Sequence, residues 1–136
     1  MDIVQSRSRS AVERSALVLL ALPIAAFSLF VGYNKAFAPI EVLTEHLAWT
    51  IHLPVFLGKA IGGLELVAAS VLLASLVVRA LRRAGSYAAA WIALNHGMAA
   101  LVHIGAREWS TLTQSAVVIP LCLILAWLCW RRASVA

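Results

Sequence analysis

Four long apolar stretches restrict this chain to a membrane. They run over residues 16–33, 55–78, 86–104 and 112–130. A helix needs about 20 mostly apolar residues to cross a bilayer. Lipid offers the backbone no hydrogen-bond partners, so each span must be a helix or part of a closed barrel. Barrel strands are short and alternate in polarity, whereas these stretches are continuously apolar. The chain is therefore predicted to be an all-α integral membrane four-helix bundle, with a single domain over residues 1–136.

The composition excludes several other classes of protein. Hydrophobic residues make up 62% of the chain and charged residues 12%, against about 45–50% and about 25% in soluble domains. A small soluble domain buries only about two-thirds of the surface of its unfolded chain, so it could not hide this apolar content. A soluble enzyme, a disordered chain and a disulfide scaffold are excluded. The lipid bilayer is the first expected partner, and the absence of a nucleic-acid motif predicts no nucleic-acid partner.

The basic residues predict the orientation of the bundle. Eight of the eleven flank the spans on one side: Arg7, Arg9, Arg14, Arg79, Arg82, Arg83, Arg131 and Arg132. Loops rich in Lys and Arg stay in the cytoplasm, so both termini are predicted to be cytoplasmic. The net charge of +5 is thus interpreted as an orientation signal.

A secretory signal peptide is a competing interpretation of the N-terminal region. An Arg-rich start, an apolar run and the small-residue pattern Ala36-Phe37-Ala38 are all present. The apolar run is longer than a usual signal core, and Lys35 interrupts the approach to the cleavage pattern. A first spanning helix is therefore the preferred interpretation.

The connector between the first two spans, residues 34–54, is predicted to contain an amphipathic helix that lies at the outer surface or is tucked over the bundle. Pro39 suits the first turn of a helix. On a helical wheel, polar and apolar side chains separate into two faces: Glu41, Thr44, Glu45 and His52 against Ile40, Leu43, Leu47 and Ile51. A solvated connector without regular structure is the alternative.

Ionisable residues inside the spans are the candidate functional groups, because burying them in lipid is costly. Glu65 and His96 each lie about ten residues from a helix end, which at about 1.5 Å per residue places them near the bilayer midplane. Lys59, His103 and Gln114 lie nearer the outer side. Together these residues predict a polar track from the outer surface to the middle of the membrane.

The spacing of small residues predicts which helix faces pack together. Gly58 and Gly62 form a Gly-x-x-x-Gly pair, which allows close helix approach, and Glu65 follows on the same face. His96 and His103 are seven residues apart and also share a face. We therefore expect Glu65, His96 and His103 to converge, as a proton-exchanging pair or as hydrogen-bonding groups for a ligand. A Glu–His or Glu–Lys contact that only fixes the helix register is the alternative.

Haem and metal sites are disfavoured by residue spacing. His96 and His103 lie roughly 10 Å apart along a helix axis, so they cannot be opposite ligands of one haem. A metal at the outer mouth would need His52, His103 and Glu45 together, which is a weaker alternative. Cys122 and Cys129 are likewise too far apart on one helix for a disulfide, and are expected to be packing residues.

Two short motifs resemble the DoxX-like family of membrane proteins. Residues 30–35, Phe-Val-Gly-Tyr-Asn-Lys, are similar to the end of that family's first helix. Residues 57–66, Leu-Gly-Lys-Ala-Ile-Gly-Gly-Leu-Glu-Leu, are similar to its second helix. The residues that match these motifs are Lys35, Gly58, Gly62 and Glu65. The resemblance covers residues 16–130 and implies a four-helix protein of the bacterial inner membrane.

The resemblance also suggests activities. Some members are subunits of quinone-linked redox complexes such as thiosulfate:quinone oxidoreductase, and others act in membrane-protein assembly or oxidative-stress responses. This chain lacks the cysteines of redox-active relatives.

Three functional hypotheses follow. The first is an accessory subunit of an oxidoreductase that binds a lipophilic small molecule, for which a quinone is the candidate cofactor. Glu65 and His96 would bind the polar head, Lys59 and His103 would line the mouth, and further ligand contacts would come from Asn95, Lys35, His52 and Gln114. The second is a non-catalytic assembly or chaperone protein whose Gly58/Gly62 face grips a membrane-protein partner or a second copy. The third is a stand-alone enzyme that uses Glu65 and His96 as catalytic acid and base on a lipid-soluble substrate.

Overall fold

The computed structural model describes residues 2–134 and, from residue 11 onward, their side chains. Within that range the chain forms α-helices, short 3-10 turns and loops, without β-strands. The five helices are α1 (Asp2–Phe37), α2 (Ile40–Glu45), α3 (Val55–Val77), α4 (Arg82–Gly105) and α5 (Leu112–Ser134). The predicted all-α class is confirmed.

Four of these segments are long and apolar enough to cross a membrane, which confirms the predicted four-helix membrane protein. The candidate spans are Ala11–Phe37, Val55–Val77, Arg79–Gly105 and Trp109–Ser134. Each overlaps one of the four predicted stretches. At the end of the first span, α1 continues past residue 33 to Phe37 and carries Lys35 within the helix.

The helices pack in sequence order around a centre of small side chains. α1 packs mainly against α3 and α4 mainly against α5, with α3 against α4 closing the bundle, whereas α1 and α5 meet only sparsely. The central positions hold Ala21, Ala69 and Ala89 beside Leu72 and Ile92, all fully buried. Small residues let helices approach closely in lipid. The sparse contact between α1 and α5 leaves space for a cavity.

Large apolar side chains cover the outside of the bundle. Leu19 is 73% exposed, Phe30 71% and Val77 85%. A soluble domain would bury such residues, whereas a helix whose outer face meets lipid has no reason to. The exposed apolar surface is consistent with contact between the bundle and a bilayer.

The start of the first span and the end of the last lie at the same end of the bundle. Arg131 near the end of α5 forms an ion pair with Glu13 in α1, with Nη2 and Oε1 3.2 Å apart. We call this end the terminal end. The opposite end, which carries residues 38–54 and 106–111, is the connector end. That the terminal end faces the cytoplasm stays a prediction from the distribution of basic residues.

The connector between α1 and α3 forms two short helical pieces. This corrects the expectation of one amphipathic helix there. α2 spans only Ile40–Glu45, and a 3-10 turn follows at Trp49–His52. Leu47 between them has a φ of 49°, a left-handed conformation that ends a helix. Leu43 and Trp49 are buried, so the connector packs onto the end of the bundle.

Candidate functional site

A buried ion pair joins the first two spans. The Nζ atom of Lys35 in α1 donates a hydrogen bond to Oε2 of Glu65 in α3 over 2.7 Å, and the two side chains are 5% and 0% exposed. The Lys35 ammonium also lies 5.6 Å from the centre of the Trp49 ring, within reach of a cation–π interaction. Glu65 is therefore partnered by Lys35, and the direct Glu65–His96 pair expected from sequence is not formed.

Glycines bring α1 and α3 close enough for this pair to form. A Cβ atom added at Gly62 would lie 2.5 Å from the backbone nitrogen of Ala36 and 2.8 Å from the carbonyl oxygen of Gly32. A Cβ atom added at Gly58 would lie 3.2 Å from Cβ of Thr50 in the connector. The Gly58/Gly62 face is thus covered by α1 and the connector, which leaves it unavailable to the partner protein of the second hypothesis.

A cavity of about 540 Å³ lies between α1, α4 and α5 at the connector end. Its walls combine aromatic and aliphatic side chains with a similar number of polar ones, and α2 with the following turn closes its end. The residues that carry the argument below are Phe27, Phe30, Lys35, Trp49, His96 and His103. The cavity occupies the region where α1 and α5 pack least.

Two side chains that line this cavity, His96 and Trp49, each carry a buried polar atom without a partner among the described residues. The His96 ring stacks on Phe27 with the ring centres 5.8 Å apart and the planes at 27°. Nε2 of His96 and Nε1 of Trp49 are both buried and have no hydrogen-bond partner within the described part of the protein. Because an unpaired buried polar group costs about 1–3 kcal/mol, these two atoms mark a place where a ligand would gain hydrogen bonds.

A carboxylate beside the cavity links two histidines. Glu108, in the loop after α4, lies 2.6 Å from Nδ1 of His103 and 3.3 Å from Nε2 of His52. An ionised carboxylate only accepts hydrogen bonds, so both ring nitrogens donate to it. The hydrogen bond from His103 is the main reason that the pKa of Glu108 lies below its usual value, and the interactions with His52 lower it further. His103 thereby joins the cavity wall to the connector.

The remaining candidate residues differ in their position relative to the cavity. Gln114 lines the cavity at the start of α5. Asn95 is buried in α4, where its Nδ2 atom has no described partner, but it is not part of the cavity wall. Lys59 is exposed on α3, so the structure does not bring it to the cavity. The polar track expected from Lys59 inward is therefore replaced by one that runs from Glu108 through His103 to His96.

Three residues of the site were absent from the sequence-based prediction. Phe27 stacks on His96, Trp49 covers Lys35, and Glu108 connects His103 to His52. The only sequence signal for Glu108 is an acid five residues after His103 in a short connector. Arg107 before it has a φ of 61°, a local backbone turn that hydropathy does not predict.

In the described part of the chain, the possible metal ligands and the two thiols lie outside any arrangement that would hold a metal ion. Within the described residues, no group of three or more His, Cys, Asp or Glu side chains is arranged to hold a metal ion. Cys122 and Cys129 are buried in α5 as free thiols, and both pack in the apolar core.

The fold and the site together define a small four-helix integral membrane protein with a partly polar cavity at one end of the bundle. The chain belongs to the DoxX-like family, whose sequence model matches residues 18–128. The family resemblance inferred from the motifs around Lys35 and Glu65 is thereby confirmed. Comparison with curated proteins and with solved structures gave no match.

Proposed function

We propose that the protein binds a lipophilic small molecule with a hydrogen-bonding head, of which a quinone is the leading example, in the cavity between α1, α4 and α5. The observation that carries this proposal is the presence of two buried, unpartnered polar atoms, His96 Nε2 and Trp49 Nε1, on side chains that line a partly polar cavity. Small-molecule sites are typically about 300–1,000 Å³, mostly apolar, with a few placed polar groups. A cavity of about 540 Å³ lies within this size range.

The ring of such a ligand would lie beside the aromatic side chains of the cavity. Phe27 and His96 already stack on each other, and offset stacking extends naturally to a further planar ring. Carbonyl oxygens on that ring would accept hydrogen bonds from His96 Nε2, when it carries a hydrogen, and from Trp49 Nε1. The isoprenoid or alkyl tail of the ligand would then leave toward lipid.

Lys35 contributes a second kind of contact. Its ammonium group has three N–H donors, of which one bonds to Glu65, and Lys35 also lines the cavity. Glu65 is not part of the cavity wall, so it acts as a positioning residue that holds Lys35 and balances its charge. This assignment moves Glu65 from direct ligand contact, as first hypothesised, to support of the cation beside the ligand.

The ligand would enter sideways from the membrane. Phe30 and Leu47 both line the cavity and are 71% and 40% exposed, so the cavity reaches the surface between α1 and the connector. A lipid-soluble molecule already concentrated in the bilayer needs no aqueous route. The family resemblance supports a role as an accessory subunit of a membrane redox system, in which a partner protein would exchange electrons with the bound quinone.

A binding titration tests this function. The purified protein in mild detergent, stripped of bound lipid, is titrated with a short-tailed quinone and compared with His96→Ala. Loss of the hydrogen bond and of the stacking ring should weaken binding by about tenfold or more. Met98→Ala is the matched control, because Met98 is 47% exposed on the same helix and is absent from the cavity wall. Equal affinity of the wild type and His96→Ala would refute the proposal, as would a matching loss in the control.

A further inference from the structure

Three arginines from three helices converge at the terminal end of the bundle. Arg14 lies in α1, Arg82 is the first residue of α4, and Arg132 lies near the end of α5. Ser86 Oγ in α4 donates a hydrogen bond to the carbonyl oxygen of Ala126 in α5 over 2.8 Å, which aligns the start of α4 with the end of α5. Arg131, next to Arg132, pairs with Glu13, next to Arg14. The three arginines therefore lie at the same end of the bundle, where the charges of Arg82 and Arg14 act on Arg132. We call these three residues the arginine cluster.

The described part of the protein does not supply a carboxylate to neutralise this cluster. Glu13 is the only acid at the terminal end among the described side chains, and it pairs with Arg131, outside the cluster. The other described acids lie in the connectors or inside the bundle: Glu41, Glu45, Glu65 and Glu108. Like charges held together near a membrane repel strongly, since the low dielectric weakens screening. An anion from outside the chain would relieve that repulsion.

One of the three guanidinium groups is held by the fold, and a second has an unused donor. Nη2 of Arg132 donates to the carbonyl oxygen of Leu76 at the end of α3 over 3.2 Å, which ties α5 to α3. Nε of Arg82 is buried and has no hydrogen-bond partner among the described residues. A fixed guanidinium with unused N–H donors matches the geometry of a phosphate group, which accepts two parallel hydrogen bonds from one arginine.

The aromatic residues nearby indicate that this end lies at the level of lipid head groups. Tyr87 and Trp130 meet edge to face with ring centres 6.3 Å apart, and Arg131 lies 4.7 Å above the ring of Trp127. All three aromatic residues are about half exposed or more. Tyr and Trp collect at the membrane–water interface. A phosphate that reaches the arginine cluster is therefore supplied from the bilayer.

We propose that the arginine cluster is a binding site for the phosphate of an anionic phospholipid head group. Basic crevices between spanning helices recognise such head groups, and here α1, α4 and α5 provide one arginine each while α3 provides the carbonyl that positions Arg132. The bound lipid bridges the helices at the end opposite the cavity. The inference is independent of the proposed ligand site, because the two sites share no residues.

Native mass spectrometry of the delipidated protein tests the inference. The protein is titrated separately with phosphatidylglycerol, phosphatidylcholine and inorganic phosphate. Wild type is expected to bind phosphatidylglycerol about tenfold or more tighter than phosphatidylcholine, and Arg82→Gln should lose about five- to tenfold of that affinity. Arg83→Gln is the matched control, because it removes the same charge one residue further along the same helix and Arg83 is exposed. The control should lose less than about twofold.

Three outcomes would overturn the inference. An equal loss in Arg83→Gln and Arg82→Gln would mean that net charge alone attracts the lipid. Equal binding of both phospholipids would exclude a role for the anionic head group. Inorganic phosphate that binds as tightly as phosphatidylglycerol would show that the site takes free phosphate and not a lipid. If Arg82→Gln fails to fold, the exposed Arg14 gives a second variant, Arg14→Gln, which should lose affinity by a similar factor.

Discussion

Two of the described carboxylates that meet cationic or histidine side chains, Glu65 and Glu108, differ in their exposure. Glu65 is fully buried between α1 and α3, and among the described residues its hydrogen-bond partner is Lys35. Glu108 is 18% exposed in a loop and is shared by His103 and His52. A buried pair is costly to break, because one charge is left without a partner, whereas a pair that water reaches contributes little to stability. The Lys35–Glu65 pair is therefore expected to support folding, whereas the Glu108 cluster joins His103 in the cavity wall to His52 in the connector.

Breaking the buried pair should have the largest effect. Glu65→Leu leaves the Lys35 ammonium in an apolar site, and we expect a loss of about 3–5 kcal/mol in the free energy of unfolding. Unfolding by SDS in mixed micelles, followed by circular dichroism, measures it. The double variant Lys35→Met/Glu65→Leu removes both charges and should recover most of the loss. A double variant as unstable as Glu65→Leu would show that the unpaired charge is not the cause.

Separating α1 from α3 should have the next largest effect. Gly62→Ala places a Cβ atom against backbone atoms of Ala36 and Gly32, and overpacking of this kind costs about 1–3 kcal/mol. Gly63→Ala is the matched control on the same helix, since a Cβ atom there meets nothing within 4 Å. The control should be neutral or more stable by up to about 1 kcal/mol, because alanine favours helix. Equal losses in the two variants would show that the close approach does not matter.

Replacing the partly exposed Glu108 carboxylate should have a smaller effect on stability. Glu108→Gln is expected to change the free energy of unfolding by about 1 kcal/mol or less. Its stronger consequence should be faster release of a bound quinone, since the Glu108 contacts to His103 and His52 connect the cavity wall to the connector. Stopped-flow release measures this rate, with Glu45→Gln as a control in the exposed part of the connector. A stability loss as large as that of Glu65→Leu would remove the distinction between the two carboxylates.

The Glu108 carboxylate should also make the free energy of unfolding depend on pH, and this is the weakest of the expected effects. The pKa of Glu108 is lower in the folded protein than its usual value of 4.5. Its ionised form therefore stabilises the fold above pH 4.5, and this contribution is lost as the pH falls through the lowered pKa. The difference in stability between wild type and Glu108→Gln should shrink as the pH falls below 4.5. A difference that is constant from pH 7 to pH 3 would exclude an ionised Glu108 as its source.

The sequence predicted the helices well because their cause is local. Continuous apolar stretches in lipid have few structural alternatives, and all four spans were found. The connector was less predictable, because a single left-handed residue, Leu47, ends the helical pattern that the side chains suggest.

The site was predictable only in part, because it depends on contacts between distant segments. Lys35 was assigned to the outer side because the apolar stretch stops at residue 33, but α1 continues to Phe37 and buries it. Lys59 follows the buried Gly58 by one residue, which at about 100° per residue turns it toward the outside. His96 and His103 were correctly expected on one face, and both line the cavity. Glu108 could not be inferred, since its partners are set by how two loops pack.

The most direct test of the central claim is mass spectrometry of the protein extracted from membranes in mild detergent. The account predicts that wild type and Met98→Ala carry a lipophilic small molecule of quinone mass. The His96→Ala protein should unfold at the same SDS concentration and carry none. Retention of the same molecule in equal amounts by His96→Ala, or its absence from all three proteins, would contradict a ligand site at His96.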